Sequence, residues 1–179
     1  KLFDAEGNTT GNKPVKNADS GIFVRGSGKS QVNLWCWPCG SGQLWSFHGS
    51  KDPVIRKGAL PKENADKPVG EWNTGRIVVE GNHVEHWLNG VLMVEYELYT
   101  GEWEALVSAS KFGEEEHYAR APSGSIGLQD HGTPVWYRNI KIRKIERGAT
   151  PLVAQKLVSI FDGESLDGWT IHGTERWYV

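Results

Sequence analysis

Residues 75–97, GRIVVEGNHVEHWLNGVLMVEYE, carry the clearest structural pattern in the chain. Runs that alternate apolar and polar residues predict strands at Gly75 to Glu80, Val84 to Asn89 and Val91 to Glu97. The dipeptide Asn89-Gly90 separates the last two runs, and it suits a type I′ turn because both central residues of that turn need positive φ. The stretch therefore predicts a β-hairpin with another strand before it.

The same alternation continues through the rest of the chain. It predicts further strands at Gly21 to Arg25, Gln31 to Trp37, Ser125 to Gln129 and Val135 to Ile145. One short surface helix is predicted at Glu102 to Lys111, because Trp103, Leu106 and Val107 fall at i, i+3 and i+4 on one face. Many short strands with Gly, Asn, Asp and Pro between them indicate an all-β, antiparallel fold.

Composition and charge exclude several classes of function. The chain has 179 residues, enough for one hydrophobic core, and its 38% hydrophobic and 23% charged residues are typical of a globular domain. The formal net charge is -2 and the basic residues are scattered, so we expect no nucleic-acid partner. No apolar run reaches the roughly 18 to 20 residues that a membrane helix needs, so we expect no membrane insertion.

Alternation also predicts a polar face on one sheet. If Val32 and Leu34 point into the core, then Asn33, Trp35 and Trp37 point to the opposite face. By the same logic the polar face includes Gln129 and continues to His131, and it gains Arg25 if Ile22 and Val24 are core residues. Aromatic rings pack on the apolar faces of sugars while amide, guanidinium and imidazole groups bond their hydroxyls, so this concave surface suits a saccharide.

No pattern in the chain predicts a metal site or a cofactor. Cys36-Trp37-Pro38-Cys39 has the spacing of a redox motif, but that chemistry uses a helix N-terminus and this motif lies on a β run. A local disulfide and two free thiols both remain open for these cysteines. Neither a calcium-binding loop nor a phosphate-cradling loop is present, so we expect no obligatory cofactor.

Six segments together resemble one bacterial family, the 3-keto-disaccharide hydrolases, which have a concanavalin-like fold. The segments are DSGIFVRG at 19–26, QVNLWCWPCGSGQLW at 31–45, ADKPVGEWN at 65–73, HWLNG at 86–90, GSIGLQDHGTPVWYRNIKIRKI at 124–145 and IFDGESLDGWTIHGTERWYV at 160–179. The resemblance implies an antiparallel β-sandwich, of the jelly-roll or laminin-G-like type, in a periplasmic or extracellular protein.

The order of these segments departs from the family. The segment at 160–179 resembles the opening of the family's domain, yet here it comes last, and about two strands that follow it in the family have no counterpart. We expect a sandwich body at 1–145, a linker at 146–156, and an opening-strand segment at 157–179 that belongs to the same permuted domain or to a tandem one. Permutation is favoured because a lone opening strand would have nothing to pair with. Sheet edges left by the missing strands would favour self-association.

The resemblance also implies cleavage of a glycosidic bond in a sugar oxidised at carbon 3. Such a reaction needs a base, an electrophile for the enolate oxygen and a proton donor. His131 is the predicted base, with Asp130 setting its tautomer if the chain turns there; a capped turn is the alternative for this pair. Arg25 is predicted to stabilise the enolate, with a structural ion pair as the alternative. Glu71 is predicted as a second carboxylate, or else as a residue that orders the entry to a strand.

Three functional hypotheses follow from these residues. The first is an enzyme that cleaves 3-keto-glycosides, and the second is a non-catalytic carbohydrate-binding sandwich. The third is a structural module of a larger secreted protein. A histidine and a carboxylate that converge with Arg25 in one cleft would favour the enzyme, whereas a shallow tryptophan platform would favour the binding module.

Overall fold

The structure is a computed structural model of the 179-residue chain. It describes residues 2–3, 9–11, 19–25, 27–35, 41–42, 63–68, 70–110, 112–116, 118, 120–132, 134–145 and 158–170. The chain divides into two compact units, Lys1–Thr133 and Pro134–Val179. The predicted linker at 146–156 lies outside the described residues.

One sheet of the first unit has three antiparallel strands, β5 (Gly75–Glu80), β6 (His83–Leu88) and β7 (Val91–Glu97). Asn89 and Gly90 connect β6 to β7 with φ of 51° and 87°, as a type I′ turn requires, so the predicted hairpin is confirmed. The register shifts between His86 and Trp87, which leaves one extra residue in β7.

The other sheet of this unit has the order β4-β3-β8. It consists of β3 (Asp19–Val24), β4 (Ser27–Trp35) and β8 (Gly127–Leu128). Both neighbours run antiparallel to β3, with Ile22 opposite Val32 on one side and opposite Leu128 on the other. A separate antiparallel pair joins β1 (Leu2–Phe3) to β2 (Thr9–Gly11).

The single described helix, α1 (Gly101–Ala109), packs one narrow face into the core. Its N-cap is Thr100, whose side-chain oxygen accepts a hydrogen bond from the backbone N–H of Trp103. Trp103 and Val107 are buried, but Leu106 is 36% exposed, so the buried face is narrower than predicted. The helix is therefore part of the core and not only a surface element. The cluster that it joins consists of Val84, Leu98, Trp103, Val107 and Tyr118.

The second unit contains β9 (Lys141–Ile142) paired antiparallel with β10 (Val158–Ser159). The predicted strand from Val135 to Ile145 is thus much shorter, because Asn139 takes a left-handed φ of 55° two residues before β9 begins. Beyond β10, the indole N–H of Trp169 donates to the Ile160 carbonyl at 3.2 Å.

Strands predominate in the described ranges and every strand pair is antiparallel, so the predicted all-β antiparallel class with one short helix is confirmed. No helix in these ranges is long and apolar enough to cross a membrane.

Candidate functional site

The backbone register places positions 33 and 129, both predicted for the polar face, in one row with Gly21 across the β4-β3-β8 sheet. Gly21 lies opposite Asn33 in β4, and on its other side its carbonyl accepts the backbone N–H of Gln129 at 2.9 Å. The Gln129 carbonyl in turn accepts the Ser20 hydroxyl at 2.7 Å. Gly21 has no side chain and is itself buried, and it separates positions 33 and 129 in the row.

Gln129 contributes a buried polar atom to this row. Its side-chain oxygen Oε1 is buried and has no hydrogen-bond partner in the structure. A buried acceptor without a donor costs free energy, so such atoms need an explanation, such as a water or a ligand. Gln129 is the one predicted binding residue with a described side chain. Positions 33 and 35 lie in β4 with side chains outside the described set, and Trp37 lies outside the described residues altogether.

Arg25 directly follows β3 in a left-handed conformation, with φ of 58°. Its Nη1 donates to the Tyr99 hydroxyl at 2.5 Å and to the Ala121 carbonyl at 3.3 Å. The guanidinium carbon lies 5.8 Å from the centre of the Tyr99 ring, within the range of a cation–π contact. Nε and Nη2 donate to no other described residue. Among the described residues, the guanidinium is therefore held through one nitrogen, Nη1.

Tyr99 is the residue of this site that sequence reasoning missed. It follows β7 with φ of 61°, and its hydroxyl donates to the Ala121 carbonyl at 3.1 Å while it accepts from Arg25. Its side chain is 41% exposed, so packing in the core does not explain its position. No local pattern in the sequence signals a left-handed tyrosine, and its partner is 74 residues away.

His131 and Asp130 lie in a turn after β8. Asp130 Oδ1 accepts the backbone N–H of Gly132 at 2.8 Å, and Gly132 has φ of 75°. This is the capped turn that was the alternative for the pair. The His131 side chain is exposed.

The register separates His131 from Arg25. Residue 131 comes two positions after Gln129, which bonds Gly21, whereas Arg25 comes four positions after Gly21 in the opposite direction. β8 ends at Leu128 and residue 131 lies in a turn, so the two residues follow opposite ends of the β3–β8 pairing. The strand pairing thus does not by itself bring the predicted base and the predicted enolate stabiliser together.

Glu71 lies on an exposed turn before β5. Its backbone N–H donates to the Pro68 carbonyl at 3.0 Å, and Gly70 between them has φ of 101°. The Asn89 amide holds this segment in place, because it donates to the Ala65 carbonyl and to Asn73 Oδ1, each at 2.7 Å. These contacts show how the segment is anchored to the hairpin.

Two histidines of β6 have opposite environments. His86 is 1% exposed, with Nδ1 2.8 Å from the Gly42 carbonyl and Nε2 3.1 Å from the Tyr96 hydroxyl. Burial lowers the pKa of His86 to about 4, so the ring is neutral at pH 7, with Nδ1–H donating and Nε2 accepting. His83 is exposed, and its hydrogen bond to Glu97 raises its pKa above the ordinary value.

A shallow cavity of about 240 Å³ lies in the second unit around Phe161, Asp162 and Trp169. Asp162 Oδ1 accepts the backbone N–H groups of Glu164 and Ser165, each at 2.8 Å, and these bonds, with that of Ser165 first, lower the pKa of Asp162. The carboxylate therefore already has a role in the turn. Within the described residues, no group of three or more His, Cys, Asp or Glu side chains is arranged to hold a metal ion.

Comparison with known proteins places the chain in a family. A curated 3-keto-disaccharide hydrolase from Bacteroides thetaiotaomicron is 39% identical over 103 residues, which cover 49% of this chain and 33% of that protein, so the chain spans about a third of its length. A crystal structure attributed to a glycosyl hydrolase from Parabacteroides distasonis aligns over 64% of this chain and 60% of its own, with 23% identity and a TM-score of 0.47. The model of the 3-keto-alpha-glucoside-1,2-lyase-like domain matches residues 3–143, and since this is well over half of the chain, the protein belongs to that family.

Proposed function

We propose that this domain cleaves glycosidic bonds in sugars oxidised at carbon 3, on the polar face of the β4-β3-β8 sheet. Family membership over residues 3–143 and the name of the curated relative support the reaction class. The position of Arg25 beside β3, with donors that no described residue uses, is the observation that carries the proposal for the site.

The ketone makes this reaction different from ordinary glycoside hydrolysis. A base takes the proton from carbon 2, and the electron pair of that C–H bond forms an enolate whose charge lies on the oxygen of carbon 3. The enolate then expels the anomeric substituent as the C1–O bond breaks, and a donor protonates the leaving oxygen. Water adds across the resulting C1=C2 double bond, with hydroxyl at carbon 1 and a proton at carbon 2, and restores the 3-keto sugar.

Arg25 is the residue that we assign to the enolate oxygen. A group that stabilises developing charge works best when it is fixed before the reaction, because no reorganisation is then needed in the transition state. Nη1 of Arg25 is already engaged by Tyr99 and Ala121, which holds the planar guanidinium in one orientation. Its free donors would bond the ketone oxygen weakly and the enolate oxygen strongly.

His131 and Arg25 follow opposite ends of the β3–β8 pairing, so we assign only one of them to carbons 2 and 3 of a given ring. We place the reacting ring at Arg25, with Gln129 contacting the rest of the saccharide. Glu71 is then the candidate for proton transfer, and His131 is the candidate only for a ring bound at the other end of the pairing. On this proposal the protein works in the periplasm or outside the cell, and the residues at positions 33, 35 and 37 extend the same binding face.

The test is turnover of 3-keto-trehalose by the purified chain, followed as release of the free sugar. Arg25→Gln should lower kcat by about 10²-fold or more, as the loss of a donor to a developing oxyanion does. Arg76→Gln is the matched control, because Arg76 lies 5.7 Å from the Trp87 ring on the other sheet and should leave kcat unchanged.

The other outcomes assign the site or the function elsewhere. Loss of turnover in His131→Ala together with full activity in Arg25→Gln would move the reacting ring to the His131 end of β3. Saccharide binding without turnover, measured by calorimetry, would overturn the enzyme proposal in favour of a carbohydrate-binding module.

A further inference from the structure

We infer that Tyr99 is a positioning residue, which holds the Arg25 guanidinium in the orientation that the enolate requires. The inference rests on the proposed role of Arg25, and it concerns a residue that neither the sequence pattern nor the family resemblance singles out.

The first support is backbone strain at both residues. Four non-glycine residues in the described ranges have left-handed φ, namely Arg25, Asn89, Tyr99 and Asn139. Asparagine tolerates this conformation, whereas arginine and tyrosine adopt it at a cost in free energy. The two residues that bear this cost are the two whose side chains contact each other. Strain of this kind persists where the surrounding structure enforces it, which is common at functional sites.

The second support is the geometry of the contact. Nη1 of Arg25 carries two N–H groups, and these match its two acceptors, the Tyr99 hydroxyl at 2.5 Å and the Ala121 carbonyl at 3.3 Å. The Tyr99 hydroxyl also donates to the same carbonyl at 3.1 Å, which closes a triangle of three hydrogen bonds. Since a guanidinium is planar, fixing one of its nitrogens in this way sets the directions of the donors on the other two.

The third support is that no second structural role for Tyr99 is seen among the described residues. At 41% exposure it contributes little to the core, and its two hydrogen bonds with described residues both belong to this triangle. Without it, Arg25 would keep one weak bond to Ala121 and regain the rotamer freedom of a long side chain, which the reaction would then have to remove.

The experiment compares Tyr99→Phe with the wild-type chain on 3-keto-trehalose. Phenylalanine keeps the aromatic ring under Arg25 and removes only the hydroxyl. We expect kcat to fall about tenfold, as for loss of one hydrogen bond to a charged group, while KM changes by less than about twofold. Arg76→Gln, which changes a residue 5.7 Å from the Trp87 ring on the β5-β6-β7 sheet, is the control and should leave kcat unchanged.

A second measurement separates positioning from folding. Guanidinium ion added to Arg25→Ala should restore part of the turnover, and the same addition to the Arg25→Ala, Tyr99→Phe double variant should restore at least fivefold less. Equal rescue of the two variants, or wild-type kcat in Tyr99→Phe, would overturn the inference.

A third readout does not depend on activity. The ¹⁵N order parameter of Arg25 Nε should fall in Tyr99→Phe and stay unchanged in Arg76→Gln. A chain without turnover in which Tyr99→Phe still mobilises Nε would refute the proposed function and leave the positioning contact intact. An unchanged order parameter would refute the positioning role whatever the activity.

Discussion

Acid should destabilise this protein through one buried histidine, His86. Its pKa is lowered by burial from 6.5 to about 4, so the folded state resists protonation that the unfolded chain accepts. Because the folded pKa is the lower one, stability is complete above about pH 6.5 and is lost as pH falls from there towards 4. The hydrogen bonds explain why the neutral form is held: Nδ1–H donates to the Gly42 carbonyl and Nε2 accepts from Tyr96.

The size of the effect follows from the shift. At 1.36 kcal/mol for each pKa unit, the full loss is about 3 kcal/mol, of which about 2 kcal/mol is lost between pH 7.5 and pH 5.0. For a domain whose stability is typically 5–15 kcal/mol, this loss is large enough to measure. His83 acts in the opposite direction, because its raised pKa stabilises the fold below the unfolded value of 6.5 and this contribution fades as pH rises through the folded pKa.

The assay is urea unfolding at pH 7.5, 6.5, 5.5 and 5.0, followed by tryptophan fluorescence. His86→Asn supplies an amide donor in place of Nδ1 and cannot titrate, so it should be less stable at pH 7.5 but should lose about 2 kcal/mol less than the wild type by pH 5.0. His83→Gln should keep the acid sensitivity and make it steeper. Equal losses in the wild type and His86→Asn would show that His86 is not the buried neutral group described above.

Three further substitutions test the packing and the turns by chemical denaturation. Gly42→Ala should destabilise the fold by about 2 kcal/mol or more, because its Cβ would lie 2.8 Å from Met93 Cγ and its φ is 103°. As its control, Gly75→Ala has open space around the added Cβ and should lower the free energy of unfolding by less than about 1 kcal/mol. Asn89→Ala should lower the free energy of unfolding by about 2–4 kcal/mol, since it removes the amide that anchors the preceding segment and places alanine at positive φ. Asn89→Gly tolerates the positive φ, so it should recover the part of this loss that is due to the turn. Thr100→Ala should cost about 1 kcal/mol through loss of the helix cap, and a change below about 0.3 kcal/mol would contradict that role.

The parts of the fold that sequence predicted best are those determined by local pattern. The bounds of β5 and β7 agree with the alternation in residues 75–97, and the Asn89-Gly90 turn needs only two residues to specify it. The strand predicted at Val135 to Ile145 has the same alternation, but only Lys141–Ile142 pairs, because pairing depends on a partner strand far along the chain. Alternation predicts which side chains share a face and does not predict how much of the strand finds a neighbour.

The same distinction between local pattern and distant contacts applies to the candidate site. The period of two in strands predicted that position 33 and Gln129 share a face, and the register places them in one row on either side of Gly21. The relation between His131 and Arg25 was not predictable in this way, because a common face says nothing about distance along the strand. Tyr99 was not predictable at all, since its left-handed backbone and its contact with Arg25 arise where the ends of β3 and β7 approach each other.

The pairing of β9 with β10 bears on how the domain is organised. The permuted arrangement was favoured because a lone opening strand would lack a partner. In the structure the opening strand does have one: Val158 lies opposite Ile142, and the Ile160 N–H donates to the Ile140 carbonyl at 2.9 Å. That partner falls within the family-matched range of 3–143. A permuted domain accounts for this pairing directly, because the opening strand then has its partner within one domain. A tandem arrangement would require the same strand to leave this partner for strands of a second domain, so we propose the permuted organisation, in which the opening strand and the end of the family-matched range belong to one domain.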